Sequence, residues 1–438
     1  MSKSVRKVAV IGGSRIPFCR SNTLYADASN LEMMTATLNG LADKYNLKGA
    51  HIDEVIGGAI VSHSKDWNLA REAVLGSKLA PTTPGITLQQ ACGMSLQGAM
   101  MLAAKIAVGE IESGISCGSD TTSDPPIVVG KKLAGRLTKL SQAKSMGQKF
   151  GAFKGLSPKE LAPIPPSTGE PRTGLAMGEH AEIMAKEWGI TRADQDQLAL
   201  ESHQKAAAAY ASGYMDDLIV PFNGVWRDNN LRADISLEKL ASLKNAFDKS
   251  DRGTMTAGNS TPLTDGAAAV LLASEEWAAK RGLPVLAYLT YSQTAANNFV
   301  SGKEGLLMAP TIAVSKMLDR AGLKLQDFDY YEIHEAFAAQ VLATLKAWED
   351  REYCKTYLGK DQPLGSIDRT RMNVKGSSLA FGHPFAATGA RIIANLAKIL
   401  DENGGRGLIS VCTAGGMGVT AIMESARAQR ARMPEAAE

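Results

Sequence analysis

The sequence predicts an α/β protein made of two related halves, with a strand-poor segment inserted into the first. Three observations predict it. Strand-like and helix-like stretches alternate along most of the 438 residues, as they do where helices pack on a sheet. A Gly-containing turn, a helix and an apolar strand occur in that order twice, over residues 92–117 and again over 382–411. Between about 128 and 251 the alternation stops. The chain is also too long for one ordinary core.

Residues 8–12 form an apolar run closed by a turn, which reads as a buried strand. Gly12-Gly13-Ser14 lacks the spaced third glycine of a dinucleotide-binding loop, which argues against that role. Residues 31–45 read as an amphipathic helix, 54–59 as a strand and 68–79 as a helix. Residues 87–91 lead into a helix expected to begin near Cys92 and to reach about Gly109, and 114–117 is the next strand. The inserted stretch holds a basic segment, a proline cluster (Pro163, Pro165, Pro166) and helices over 177–188 and 192–212. The core resumes at Thr254. Strands follow over 285–290 and 330–333, then a helix opening at 382–390 and running to about Leu400, then a strand over 407–411. The division is therefore a first core half over 1–127, completed by 252–284, an inserted loop domain over 128–251, a second core half over 285–425 and a frayed tail over 426–438.

A hydrophobic content of 45% with 21% charged residues is that of a soluble globular protein. The net charge of +3 gives no argument for binding nucleic acid. The charge is unevenly placed. Lys131, Lys132, Arg136, Lys139, Lys144, Lys149, Lys154 and Lys159 face one acid, Glu160, so the rest of the chain is net acidic. Leu133, Leu137 and Leu140 recur at helical spacing, with Lys132, Arg136 and Lys139 on another face. A basic amphipathic helix over 131–159 would suit an anionic membrane or an acidic partner. The five cysteines, Cys19, Cys92, Cys117, Cys354 and Cys412, are odd in number and dispersed, which suggests free thiols in a reducing compartment. No Cys-x-x-Cys or His-x-x-x-His spacing suggests zinc, so no metal is expected. No long apolar leader and no run of about 18 apolar residues is present, so a cytoplasmic location is expected.

Four side chains near short turns carry the chemistry. Cys92 lies in Gln-Gln-Ala-Cys-Gly-Met-Ser at an expected helix start, where free N–H groups and the helix dipole would lower its pKa. His383 lies in Gly-His-Pro-Phe-Ala-Ala-Thr-Gly, where an imidazole could take the proton from Cys92. Cys412, in Cys-Thr-Ala-Gly-Gly-Met-Gly, offers an acid/base thiol beside backbone N–H groups able to hold an oxyanion. His334 follows the strand over 330–333, in His-Glu-Ala-Phe.

Together with Ala-Gly-Asn-Ser-Thr-Pro-Leu-Thr-Asp-Gly at 257–266, these motifs resemble the thiolase family, over about residues 5–425. The resemblance implies two α/β halves in an α-β-α-β-α core with an inserted loop domain. It implies an acyltransferase that cleaves 3-ketoacyl-CoA with CoA, giving acetyl-CoA and a shortened acyl-CoA in β-oxidation. Cys92 would be the acylated nucleophile, His383 its base and Cys412 the second acid/base. His334 and His383 would hold the oxygen of the leaving thioester, and the N–H groups of Cys92 and Ala414 the other oxyanion. Met177 and Thr261 fall at CoA-contacting positions, Thr261 where relatives carry serine. CoA is a substrate, and no cofactor is implied. His334 stands where many relatives carry Asn, a variant similar to the β-subunit type of trifunctional complexes. That type implies a homodimer or homotetramer, a hydratase/dehydrogenase partner and membrane contact through 131–159. The alternatives are a biosynthetic acetyl-CoA acetyltransferase or a non-catalytic scaffold or lipid-carrier subunit. A decarboxylating ketoacyl synthase would have no need of Cys412.

Overall fold

In the computed structural model, which describes residues 5–301 and 304–427, twelve strands are seen in chain order. They are β1 (Val8–Arg15), β2 (Cys19–Arg20), β3 (Glu54–Gly57), β4 (Gly85–Thr87), β5 (Ser113–Asp120), β6 (Val128–Val129), β7 (Pro163–Ile164), β8 (Thr264–Ser274), β9 (Ala287–Ala296), β10 (Tyr330–Ile333), β11 (Arg406–Thr413) and β12 (Met417–Ser425). Nine of them follow one hydrogen-bonded path, β10-β11-β12-β9-β1-β8-β5-β3-β4. The halves are topological copies. β3 runs parallel to β5, β5 antiparallel to β8, and β8 antiparallel to β1. Likewise β10 runs parallel to β11, β11 antiparallel to β12, and β12 antiparallel to β9. The seam between the halves registers just Ala9 with Tyr288 and Val10 with Ala287.

Five layers result. The helices Asn30–Lys44 and Leu69–Gly76 cover the outside of the first half, and Ala309–Ala321 that of the second. Between the halves lie Met94–Val108 and Thr388–Asn403, packed on each other and on strands from both sides. Residues 91–108 are long and apolar enough to cross a bilayer. Here that apolarity is spent in the middle layer, where both flanks of the helix meet protein. Gly389 makes the layer thin. A Cβ there would sit 2.3 Å from the backbone nitrogen of Leu96.

β9 reaches Ala296, six residues past the strand expected from sequence, because its polar second part pairs with β12 out to Met417. The stretch 128–251 falls between β5 and β8 and contains only the short β6–β7 pair among the strands, with the helices Met177–Glu187 and Arg192–Ala211. Its basic segment folds as the helices Lys131–Gln142 and Met146–Phe153. The expected docking face needs a correction here. Arg136 turns inward, its Nε donating to Glu160 at 2.8 Å and its Nη atoms to the carbonyls of Ala152, Lys154 and Gly155. Leu133 is buried while Leu137 faces solvent, so the leucine stripe does not pack as one face. Of the expected tail, residues 428–438 lie outside the described residues.

The insertion is clamped to the core by a buried ion pair. Arg15, at the end of β1, donates through both Nη atoms to Asp228 at 2.6 and 2.7 Å. Asp228 also accepts from Phe18 N at 2.6 Å and from the Tyr210 hydroxyl at 2.7 Å. Both charged side chains are withdrawn from water, at 5% and 0% exposure. Removing one partner leaves an uncompensated buried charge, which costs about 3–5 kcal/mol. Asp228→Ala should lose stability of that order in chemical denaturation, and removing the Arg15 charge as well should recover part of it. A loss below about 1 kcal/mol, typical of exposed pairs, would refute the clamp.

Candidate active site

Cys92 sits in a single 3-10 turn, Ala91–Gly93, just ahead of the helix Met94–Val108. Ala91 adopts a left-handed backbone with φ of +45°. That conformation costs a residue with a side chain on the order of 1–3 kcal/mol and is held by its surroundings. Gly93 shows what holds it. A Cβ there would lie 2.6 Å from Val419 Cγ2 and 2.8 Å from Thr413 Cγ2, so the turn is wedged against the ends of β11 and β12.

His383 arrives from the second half. Its backbone N–H donates to Thr264 Oγ1 at 3.2 Å. Its Nδ1 lies 2.6 Å from Thr388 Oγ1, and its Nε2 lies 3.0 Å from Cys92 Sγ. An Nε2 that receives the thiol proton requires Nδ1–H to donate to Thr388. The loop after His383 is pinned by Asp120, at the end of β5, which accepts from Ala386 N at 2.9 Å and from Ile60 N and Val61 N at 2.8 Å.

His334 leaves the end of β10 with its N–H on the carbonyl of Ser410 at 2.9 Å. Its ring centroid is 4.2 Å from that of His383. Glu335 and Asn373 fix the segment. Glu335 accepts from Ser202 Oγ, Asn373 Nδ2 and Leu379 N, and Asn373 bonds both N–H and C=O of Ile333. Ser378 Oγ lies 3.0 Å from His334 Nδ1 and accepts from Arg391 Nη2 at 2.9 Å. Arginine can only donate, so the serine proton is free to go to His334 Nδ1. That leaves His334 with an N–H at Nε2, a fully buried atom with no protein partner.

Cys412 is buried at the end of β11. The N–H of Ala414 faces the Cys92 sulfur, as does the N–H of Cys92 itself. Glu170 of the insertion accepts from Gly415 N at 2.8 Å and steadies this turn.

The electrostatics correct one expectation. Burial pushes the Cys92 thiol up to about 12, and the N–H groups of Ala414 and Cys92 oppose the rise without cancelling it. Loss of water outweighs the helix terminus, which begins two residues later at Met94. Burial also raises Cys412 well above the usual thiol range, with the Cys92 sulfur adding to it. His383 is lowered to about 3, by burial and then by Arg391. His334 is driven well below its ordinary value by burial, His383 and Arg391. Both shifts favour a resting thiol facing a neutral imidazole base.

The structure brings Cys92, His334 and His383 together, with Ala414 beside the sulfur. Thr261 lines a cavity of about 730 Å³ together with Ser260, Phe247 and Leu379. Its hydroxyl donates to the carbonyl of Ser378 and its N–H to the carbonyl of Ala336 at 3.1 Å, so the cavity abuts the segment after His334. Arg20 and Arg232 give that cavity a cationic margin. Met177 is not among its lining residues and packs instead against the core beneath. Sequence reasoning missed Ser378, Arg391, Asp120, Glu170 and Asn373. Ser378 and Arg391 flank the Gly-His-Pro motif and could have been noticed there. Asp120 and Glu170 come from segments with no motif at all.

The family descriptions "Thiolase, N-terminal domain" and "Thiolase, C-terminal domain" match residues 8–276 and 283–425. A 3-ketoacyl-CoA thiolase of Shewanella sp. (strain W3-18-1) is 41% identical over 425 residues, which is 95% of this chain and 97% of that protein. The solved acetyl-CoA acetyltransferase of Bacillus anthracis superposes with a TM-score of 0.80 at 30% identity, covering 97% of this chain and all of that one. Human mitochondrial 3-ketoacyl-CoA thiolase gives 0.78 at 28% identity, covering 96% and 99%.

A neutral resting thiol has a kinetic signature. The thiolate is the reactive form, and its fraction should grow roughly tenfold per pH unit below the thiol pKa. Alkylation of unliganded Cys92 by iodoacetamide, located by mass spectrometry, should therefore climb from about pH 7 to about pH 10 without levelling. A plateau at neutral pH would reveal a preformed thiolate–imidazolium pair and overturn the neutral resting state.

Proposed function

The chain belongs to the thiolase family, and from that premise we propose that it is a 3-ketoacyl-CoA thiolase of β-oxidation, an acyltransferase working through an acyl-cysteine. The observation that carries the reading is the 3.0 Å contact of Cys92 Sγ with His383 Nε2 beneath the N–H of Ala414. Cys92 attacks the 3-keto carbon as its proton passes to His383 Nε2. The oxyanion falls to the N–H groups of Cys92 and Ala414. Those donors are preorganised in a site closed to water, where they are worth most. The C2–C3 bond then breaks and its electron pair moves onto the thioester as an enolate. The Nε2–H of His334 faces the enolate oxygen, and the protonated His383 stands beside it. Cys412 gives its proton to C2, releasing acetyl-CoA. The Cys412 thiolate then takes the proton of an incoming CoA thiol. That sulfur attacks the acyl group, and Cys92 leaves and recovers its proton from His383. CoA would lie in the cavity lined by Thr261, with Arg20 and Arg232 toward its phosphates.

A biosynthetic acetyl-CoA acetyltransferase uses the same groups, and a series of 3-ketoacyl-CoA chain lengths separates the two. A scaffold or lipid-carrier role would leave the reactive set idle. Cys92→Ser should abolish thiolysis, and the acyl group trapped from substrate should map to Cys92. Cys412→Ala should lose turnover by about 10²–10⁴-fold, as for loss of a general acid–base group. Normal turnover in either variant, or acylation elsewhere, would sink the mechanism.

The basic segment supports a second proposal, peripheral contact with an anionic lipid surface. Phe150 is 74% and Met146 62% exposed, and Leu137 and Phe153 also face solvent. Lys139, Lys149 and Lys154 stand exposed among them. Apolar insertion and attraction to anionic headgroups reinforce each other there. Sedimentation with anionic vesicles should fall with added salt, and further on Met146→Ser with Phe150→Ser. Unchanged sedimentation would refute lipid contact, and capture of a hydratase/dehydrogenase subunit by this face would reassign it. A homodimer or homotetramer is the assembly to expect in light scattering.

A further inference from the structure

The proposed reactive groups also form a ligand set. Cys92, His334 and His383 each offer one ligand atom, and these atoms all lie within 4.8 Å of one another. Among the described residues this is the one such group of three His, Cys, Asp or Glu. Zinc–sulfur bonds of about 2.3 Å and zinc–nitrogen bonds of about 2.0–2.1 Å set tetrahedral ligand separations of roughly 3.3–3.6 Å. The 3.0 Å contact of Cys92 Sγ with His383 Nε2 needs only to open slightly. The remaining separations are at most 4.8 Å.

Three features point to a ligand rather than to chance proximity. His334 Nε2 is wholly buried and has no protein partner. Each imidazole has its remote nitrogen held by a hydroxyl, His383 by Thr388 at 2.6 Å and His334 by Ser378 at 3.0 Å. Such outer partners orient ligand histidines. Ser378 Oγ keeps a second lone pair beside the one that takes Arg391, so it can accept an N–H from His334 Nδ1 when metal occupies Nε2. Cys/His₂ with an open fourth position is a donor set of the kind borderline-soft ions prefer.

We propose that these three residues form a site for Zn²⁺ that reversibly blocks the enzyme by capturing its nucleophile. As the sulfur–zinc bond forms, the Cys92 proton leaves to solvent and nothing is oxidised or reduced. The sulfur cannot hold metal and acyl group at once, so metal and 3-ketoacyl substrate exclude each other. The inference rests on the reading of this site as acylating, but it can be tested without turnover. Co²⁺ titrated into the full chain, freed of metal by chelator, should bind once per chain with a thiolate-to-cobalt charge-transfer absorption. Zn²⁺ should displace it, and a chelator should remove it.

Cys92→Ala should abolish the band, whereas Cys412→Ala should keep it. His334→Asn should weaken Co²⁺ binding at least about tenfold, since an amide is a poor substitute for imidazole. Zn²⁺ should also protect Cys92 from iodoacetamide. A band that persists in Cys92→Ala, or affinity unchanged in His334→Asn with native circular dichroism, would overturn the site. Binding without any thiolate band would mean surface attachment and would equally overturn it. A chain that shows the band with Co²⁺ but no thiolysis when freed of metal would refute the functional reading and leave the metal site standing.

Discussion

The contact between the two middle helices governs the rest of the structure. Met94–Val108 follows the turn of Cys92 from the first half, and Thr388–Asn403 follows the loop of His383 from the second. Buried residues of these helices share one apolar cluster with strands of both sheet halves. Gly389, with no room for a Cβ against Leu96, sets how near the two turns can come. The hydrogen bond from sulfur to imidazole is thus a consequence of helix packing. With just two registered pairs along the β1–β9 seam, the middle layer rather than the sheet keeps the halves aligned.

Desolvation decides the electrostatics of the site. The thiols and imidazoles are each pushed toward their neutral forms, and burial is the first cause in every case. The charged side chain that lowers both imidazoles is Arg391, itself buried and faced by Glu332 at 3.8 Å. It touches neither sulfur. By donating to Ser378 Oγ it leaves the serine proton free to go to His334 Nδ1. Charge then appears only as bonds change, where oriented N–H groups meet it.

Much of this was legible in the sequence because the repeated order of turn, helix and strand survives as symmetry in the fold. The residue types at 92, 334, 383 and 412 also name their chemistry. The rest was hidden for physical reasons. The raised thiol pKa is not legible, because proximity to a helix start can be read from a sequence, while the loss of water around Cys92 cannot. Arg136 looked like surface charge until Glu160 and three carbonyls enclosed it. The second part of β9 escaped because its polar residues are ordered by pairing with β12, not by apolar burial. A ligand set drawn from 92, 334 and 383 has no spacing to recognise, because only the fold brings those residues together.

Glu170 and Asp228 give the inserted domain a role beyond shaping a cavity. One reaches the glycine turn after Cys412, and the other reaches the end of β1. The insertion is therefore a keystone rather than a detachable module. A chimera that exchanged it for a relative's to alter substrate preference would carry the new pocket faithfully only with both carboxylates in place. Without them, the graft would loosen the reaction centre it was meant to serve.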